Sequence, residues 1–271
     1  MVTWRLQTTM QVTGSNSAQH ILSIRLSADG FYFAILNTKA KEGSDSYTYY
    51  IYKVDESLSI AANFKQAIAQ LDWLSFTYQA VHIVITTRRF TIMPLDFFED
   101  EQAETIFYHN FHPIDNEEVV YNILRKSDQV MLFGIDKALS SLIYELFPDA
   151  HLQVQATPLF EYLAIQNRQV QHRQMLCFVA DHTLTIGVME HRNLLFGNSF
   201  SCNCTSDRLY YILYCWKQLG MNQLVDELLL ADNTTPAQNG APSLQQELSR
   251  FIQQVNPLQS PTYLDLQSFI A

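Results

Sequence analysis

The stretch ILSIRLSADGFYFAIL, residues 21–36, decides the architecture of this chain. It holds two β-patterned runs joined at Asp29-Gly30, a dipeptide that tolerates the backbone of a tight hairpin turn. Working outward, YTYYIYKV (47–54) follows a loop of Lys, Gly and Ser and reads as a third strand. LSIAANFKQAIAQL (58–71) places Leu58, Ala61, Ala62, Ile68 and Leu71 at helical spacing, with Ser57 as cap. VHIVITT (81–87) is short and β-branched, which suits a buried parallel strand.

The same order returns about 150 residues later, the spacing of a duplicated unit. MLCFVADHTLTIGVM (175–189) gives two strands around a polar turn at 181–183, and NLLFGNSF (193–200) gives a third. SDRLYYILYCWKQL (206–219) is a helix with Ser206 as N-cap and Gly220 just past its end. QLVDELLLAD (223–232) reads as the fourth strand, although its leucines also fit a helix. Both halves run strand–turn–strand–turn–strand–helix–strand, as expected of a two-lobed α/β fold. Chance similarity of two ordinary α/β patterns is the alternative.

Between the halves, residues 105–111 read as a short aromatic strand and 130–134 as another apolar run. Residues 137–147 are amphipathic, with Leu139, Leu142, Ile143 and Leu146 on one face, and Pro158 opens a helix over 159–169. Residues 232–242 read as loop. The last helix is expected over 244–255, with Ser243 as its cap. The domain reading is a first lobe over 1–155, with an insertion over about 88–130, and a second lobe over 156–271.

Composition narrows the function classes. With 48% hydrophobic and 16% charged residues the chain can bury a sizeable core. A net charge of −10 argues against nucleic-acid binding and against docking on anionic lipid. Four cysteines do not make a disulfide scaffold, residues 1–11 lack the apolar region of a signal peptide, and no apolar run spans a membrane. A soluble, cytoplasmic protein is expected.

Motifs for chemistry are scarce. There is no GxSxG elbow, no GxxxxGK[ST], no GxGxxG and no HExxH. His109 and His112, with Asp115, flank Phe111 and precede Pro113 rather than sharing a helix face, so no metal site is expected. Cys202 and Cys204, with Cys177 and Cys215 elsewhere, lack zinc-ribbon spacing. The acidic run FFEDEQAE (97–104) reads as a solvated helix start. Tyr210, Tyr211, Tyr214 and Trp216 read mostly as core, with Tyr211 or Trp216 available to a binding face.

The order of elements resembles the actin, hexokinase and heat-shock ATPase superfamily, in which two RNase H-like lobes clasp nucleotide phosphates between hairpins. More narrowly, LSIRLSADGFYFAI (22–35), the region from Arg89 through Met93-Pro94 to Phe98, TIFYHNF (105–111), LFGIDKALSSLIYELFP (132–148) and ADHTLTIGVMEHRNLLFGNSF (180–200) resemble a family of uncharacterised bacterial proteins, a domain of unknown function assigned an actin-like ATPase fold. The resemblance implies two lobes with mixed sheets flanked by helices. It also implies an extra subdomain in the insertion, as pilus-assembly and divisome members carry one there.

The resemblance further implies where nucleotide would sit and what it needs: an Asp ending the first strand, glycines in both hairpin turns, and a Gly-Gly pair near the C-terminal part. Laid on this chain, the first Asp-x-Gly falls on Arg25, Leu26 and Ser27, where a guanidinium would repel Mg²⁺. The second falls on Asp181, His182 and Thr183, where a Thr Cβ replaces the glycine. Ala231 and Asp232 stand at the adenosine Gly-Gly, and Gly240 comes too late.

The expectation is therefore a non-catalytic actin-like module that binds or scaffolds an unidentified protein partner, with no cofactor. Within the superfamily, a short partner peptide lying against one lobe is the mode that pilus-assembly relatives imply. The alternative is a divergent ATPase or phosphotransferase holding ATP and Mg²⁺ through Arg25 and Asp181. Self-stacking into filaments is a third reading, which the net charge disfavours.

Overall fold

A computed structural model describes residues 12–39, 47–180, 182–234, 242–258 and 263–267. The sequence readings of the 1–11 segment, the loops over 40–46 and 235–241, Gly240 and Asp181 lie outside the described residues.

The first half builds β1 (His20–Ser27), β2 (Gly30–Asn37), β3 (Tyr47–Tyr52), α1 (Ile60–Gln70) and β4 (Ala80–Ile85). Then come β5 (Phe90–Pro94), α2 (Ala103–Asn110), β6 (Glu117–Leu124), β7 (Gln129–Asp136), α3 (Lys137–Leu146) and β8 (His151–Val154). The second half holds α4 (Ala156–Gln166), β9 (Gln174–Val179), β10 (Thr183–Glu190), β11 (Asn193–Ser201), α5 (Thr205–Gln218), β12 (Glu227–Asp232), α6 (Leu244–Leu248), β13 (Gln254–Pro257) and α7 (Leu264–Gln267).

Two five-stranded sheets carry the duplication, ordered β3-β2-β1-β4-β8 and β11-β10-β9-β12-β13. In each, three strands form an antiparallel meander, and a helix then crosses to a strand parallel to the first. The β1–β2 turn closes where Ser27 faces Gly30, so the register set by Ala28-Asp29 puts Leu22, Ile24 and Leu26 on one face. They pack with Phe31, Phe33, Phe64 and Ile143 under α1 and α3. Each such side chain contributes about 1.5–3 kcal/mol by leaving water. In the second sheet, Met175, Cys177 and Val179 pack under α5 and α6, while Leu176 and Phe178 meet Phe160 of α4 on the other face.

The insertion forms a three-stranded antiparallel sheet, β5-β7-β6, covered by α2. Here the structure corrects the sequence reading: residues 105–111 are helical through Asn110, not a strand. Their aromatic and β-branched residues favour a strand, but a helix buries Ala103 and Phe107 together on Leu132. Packing of two residues four apart overrides local propensity. The exposed acids Asp100, Glu101 and Glu104 also favour a helix start through the backbone dipole.

The second correction concerns 244–255, expected as one helix. A capping box from Ser243 and Gln246 starts α6, which ends at Leu248; Val255 then lies in β13, paired in parallel with Leu228. Leu244, Leu248 and Ile252 are buried while Phe251 is exposed, and residues 254–257 pair their backbone with β12 instead of extending the helix. Smaller differences concern caps. Ser59 rather than Ser57 accepts the N–H of Ala62 to start α1, and Cys204 rather than Ser206 caps α5. Gly220 follows α5 with φ +62, the left-handed conformation a helix C-terminus uses.

Past β13 the chain returns to the first sheet. α7 packs on β1, β2 and β4, covering the face opposite α1 with Leu266 and Tyr263. No helix among the described residues is long and apolar enough to cross a membrane.

Candidate functional site

Parallel strands direct their carboxyl ends the same way, and ligand sites of open α/β sheets lie beyond those ends. In this chain β1, β4 and β8 are parallel and end at Ser27, Ile85 and Val154. The residues that follow them meet the β9–β10 turn of the second sheet across a cavity of about 740 Å³. Ser27, Ala28, Asp29, the run Thr86-Thr87-Arg88-Arg89 and Gln155 form the first wall. His182, Thr183, Thr185, Asn198, Ser199 and Ser201 form the second, and Phe111 of the insertion closes one end.

Seven of the fifteen lining residues carry hydroxyls. Some are already engaged: Thr185 and Ser199 share a hydrogen bond of 2.6 Å, and Ser27 Oγ accepts the N–H of Asp29 at 3.2 Å. Thr86 Oγ1 is buried without a hydrogen-bond partner among the described residues. Arg89 is committed elsewhere. Its guanidinium grips both oxygens of Glu117 at 2.7 Å, donates to the His112 carbonyl at 2.8 Å and lies over Phe111, and the Glu117 bond raises its pKa. Arg88 is exposed, and Asp29 is the only carboxylate among the described lining residues.

Of the positions singled out in sequence, Ser27 and Thr183 reach the cavity together. Arg25 does not line it. Two residues before Ser27 on β1, it points to the face covered by α7, is 6% exposed, and donates from Nη1 to both oxygens of Asp265 at 2.8 and 3.0 Å. Its guanidinium also sits 4.0 Å above the Tyr32 ring. Ala231 is fully buried in the core between α4 and the second sheet. Asp232 turns its carboxylate to the N–H and hydroxyl of Thr234, at 3.0 and 2.7 Å. Asp181 lies outside the described residues.

Sequence reasoning missed Gln155, the Thr86–Thr87 pair and Asp265. Gln155 is 4% exposed and joins cavity to ion pair, for its Nε2 donates to Asp265 Oδ2 at 2.7 Å. Thr86, Thr87 and Gln155 had a usable signal, since they follow parallel strands. Asp265 had none. Among the described residues, no three His, Cys, Asp or Glu side chains gather as a metal site. His109 and His112 sit on α2 and just after it, Cys202 is buried and Cys204 is exposed.

Comparisons with known proteins place the arrangement. The family model described as "Protein of unknown function (DUF3822)" matches residues 9–255. A crystal structure from Bacteroides thetaiotaomicron, of a protein with actin-like ATPase fold and unknown function, is 41% identical with a TM-score of 0.84, covering 96% of this chain and 98% of that one. A chain of the PilM–PilN type IV pilus biogenesis complex is 11% identical with a TM-score of 0.50, covering 90% and 89%. No curated protein matches the chain.

Proposed function

The chain belongs to the DUF3822 family and has an actin-like ATPase fold, and from that premise we propose that it is a non-catalytic module that binds another polypeptide. The observation that carries this reading is the corner of the cavity at the end of β1. The superfamily pattern wants a carboxylate ending that strand to position a magnesium-bound water, and the residue that ends β1 and lines the cavity is Ser27. Arg25, where the sequence reading put the carboxylate, lies two residues earlier, outside the cavity and paired with a buried aspartate.

The other corners support the same reading. The Asp29 N–H, a backbone donor in the first hairpin turn, is taken by Ser27 Oγ. Thr183 brings a side chain where the pattern has glycine, and Ala231 is packed into the core. These residues do not fit a magnesium-bound triphosphate. Fold alone does not impose chemistry. A chain of this fold in the pilus assembly is held in a complex with a second protein, the kind of role proposed here.

One observation favours the alternative of a divergent ATPase or phosphotransferase: a cavity of about 740 Å³ has the size of a small-molecule site. Melting curves with millimolar ATP and Mg²⁺ separate the two. The expected result is an unchanged melting temperature and no phosphate release. A rise of several degrees that an Asp181→Ala variant loses overturns the proposal.

A further inference from the structure

β11 is the outer strand of the second sheet, so among the described residues the backbone groups facing away from β10 have no strand beside them. Folded proteins usually shield such an edge with charges, prolines or bulges. The nine residues of β11, NLLFGNSFS, contain no charge and no proline, and the bulge lies near the start of the strand, leaving Phe196 to Ser201 regularly paired with β10. Leu195, at the bulge opposite Val188 and Met189, is 42% exposed.

A hollow lies on each face of this edge. Phe196, Asn198 and Phe200 point toward α5 and, with Tyr210 and Tyr214, line about 490 Å³. Those two tyrosines stack on each other and are 60% and 49% exposed. On the other face, where Gly197 meets Ile92, a cavity of about 430 Å³ is walled by β5 and Phe111. A strand added to an edge sends alternate side chains to opposite faces. Main-chain pairing then supplies affinity and the two hollows supply specificity.

We propose that β11 receives an extended segment of a partner polypeptide by strand addition, with apolar residues entering the Tyr210–Tyr214 hollow and a basic flank. The inference rests on the polypeptide-binding function proposed above. Charge selects the occupant. The chain holds 27 acidic against 17 basic residues, and β5 runs into a segment exposing Asp96, Glu99, Asp100, Glu101 and Glu104. A second copy is disfavoured at this edge because two chains of net charge −10 repel.

The test selects phage-displayed random dodecapeptides on the full-length protein and follows the synthesised winners by fluorescence polarisation and amide hydrogen exchange. Expected winners alternate apolar residues beside Lys or Arg and slow exchange in residues 194–200. Replacing both tyrosines (Tyr210→Ala with Tyr214→Ala) weakens them by about ten-fold or more, and a proline inside the peptide abolishes binding. Both tyrosines are exposed, so the variant keeps its fold, and a circular dichroism melt verifies this. Peptides that protect another surface overturn the strand-addition site and leave polypeptide binding standing. A failure to enrich any peptide, or a dimer protected at β11, also overturns the site. An ATP-dependent rise in melting temperature strikes the proposed function itself.

Discussion

Asp265 chelates Arg25 through both carboxylate oxygens across 240 residues of sequence. The aspartate exposes no surface, and Gln155 donates to its Oδ2. A four-residue helix such as α7 has no stability of its own. It is held on the first sheet by this pair, by buried Leu266, and by the Tyr49–Tyr263 ring stack at 3.8 Å. The contact that occupies the cation at residue 25 therefore also ties the end of the chain to its beginning.

Removing one partner of such a pair leaves a buried charge uncompensated. Asp265→Ala is expected to cost about 3–5 kcal/mol in urea unfolding. Replacing both residues with apolar ones (Arg25→Met with Asp265→Leu) is expected to cost clearly less, because no charge is stranded. A single-variant loss under about 1 kcal/mol would show that the guanidinium reaches water instead.

The His82 and His151 rings stack at 5.2 Å between β4 and β8. Burial, and secondarily the His151 charge, lowers His82 from 6.5 to about 4. The unfolded chain therefore takes up this proton first as pH falls. Its contribution to stability is complete above pH 6.5 and is lost progressively toward pH 4. With partial exposure discounted, the loss is about 2 kcal/mol. Stability measured against pH for wild type and His82→Gln should converge by that amount over this window; parallel curves refute the assignment.

Thiol reactivity should follow burial. Cys177 is held well above its ordinary value by burial, and Cys202 and Cys215 are pushed up to about 11 by the same cause. Cys204 is exposed at the start of α5. Thiolate is the reactive form. A colorimetric disulfide reagent should titrate one thiol in the native protein and four in denaturant. Rapid loss of a second native thiol would contradict the packing.

A methyl group at Gly197 would lie 2.5 Å from Phe160 and 2.6 Å from Ile92, where α4 and β5 press on β11. Gly197→Ala is expected to cost about 1–3 kcal/mol through overpacking. At Gly220 nothing lies within 4 Å, and only its φ of +62 is strained, so Gly220→Ala should cost about 1 kcal/mol. Denaturant midpoints that rank the two the other way would place the tight contact elsewhere.

Much of the fold was legible because its signals are local. The Asp29-Gly30 signal with its flanking alternation predicts β1 and β2, although the two-residue turn falls one position earlier, at Ala28-Asp29, with Gly30 already in β2; the matching pattern over 175–200 predicts β9 to β11. Where local and tertiary preferences compete, reading failed. Phe107 and Tyr108 look like strand residues until Leu132 offers a surface for a helix to cover. Val255 continues a helical period until β12 offers it an edge. Of the site, Ser27 and Thr183 were found through the hairpins that hold them. Gln155, Thr86 and Thr87 lie in connections without periodicity, and only their place after parallel strands marks them.

The sequence alone determined the repeated strand–helix order and that residue 25 is a cation, because hairpin register and side-chain identity are local properties. Only the tertiary structure decided what that cation does. Its partner, Asp265, arrives from the far end of the chain, and no periodicity connects residues whose contact exists only once both sheets have formed.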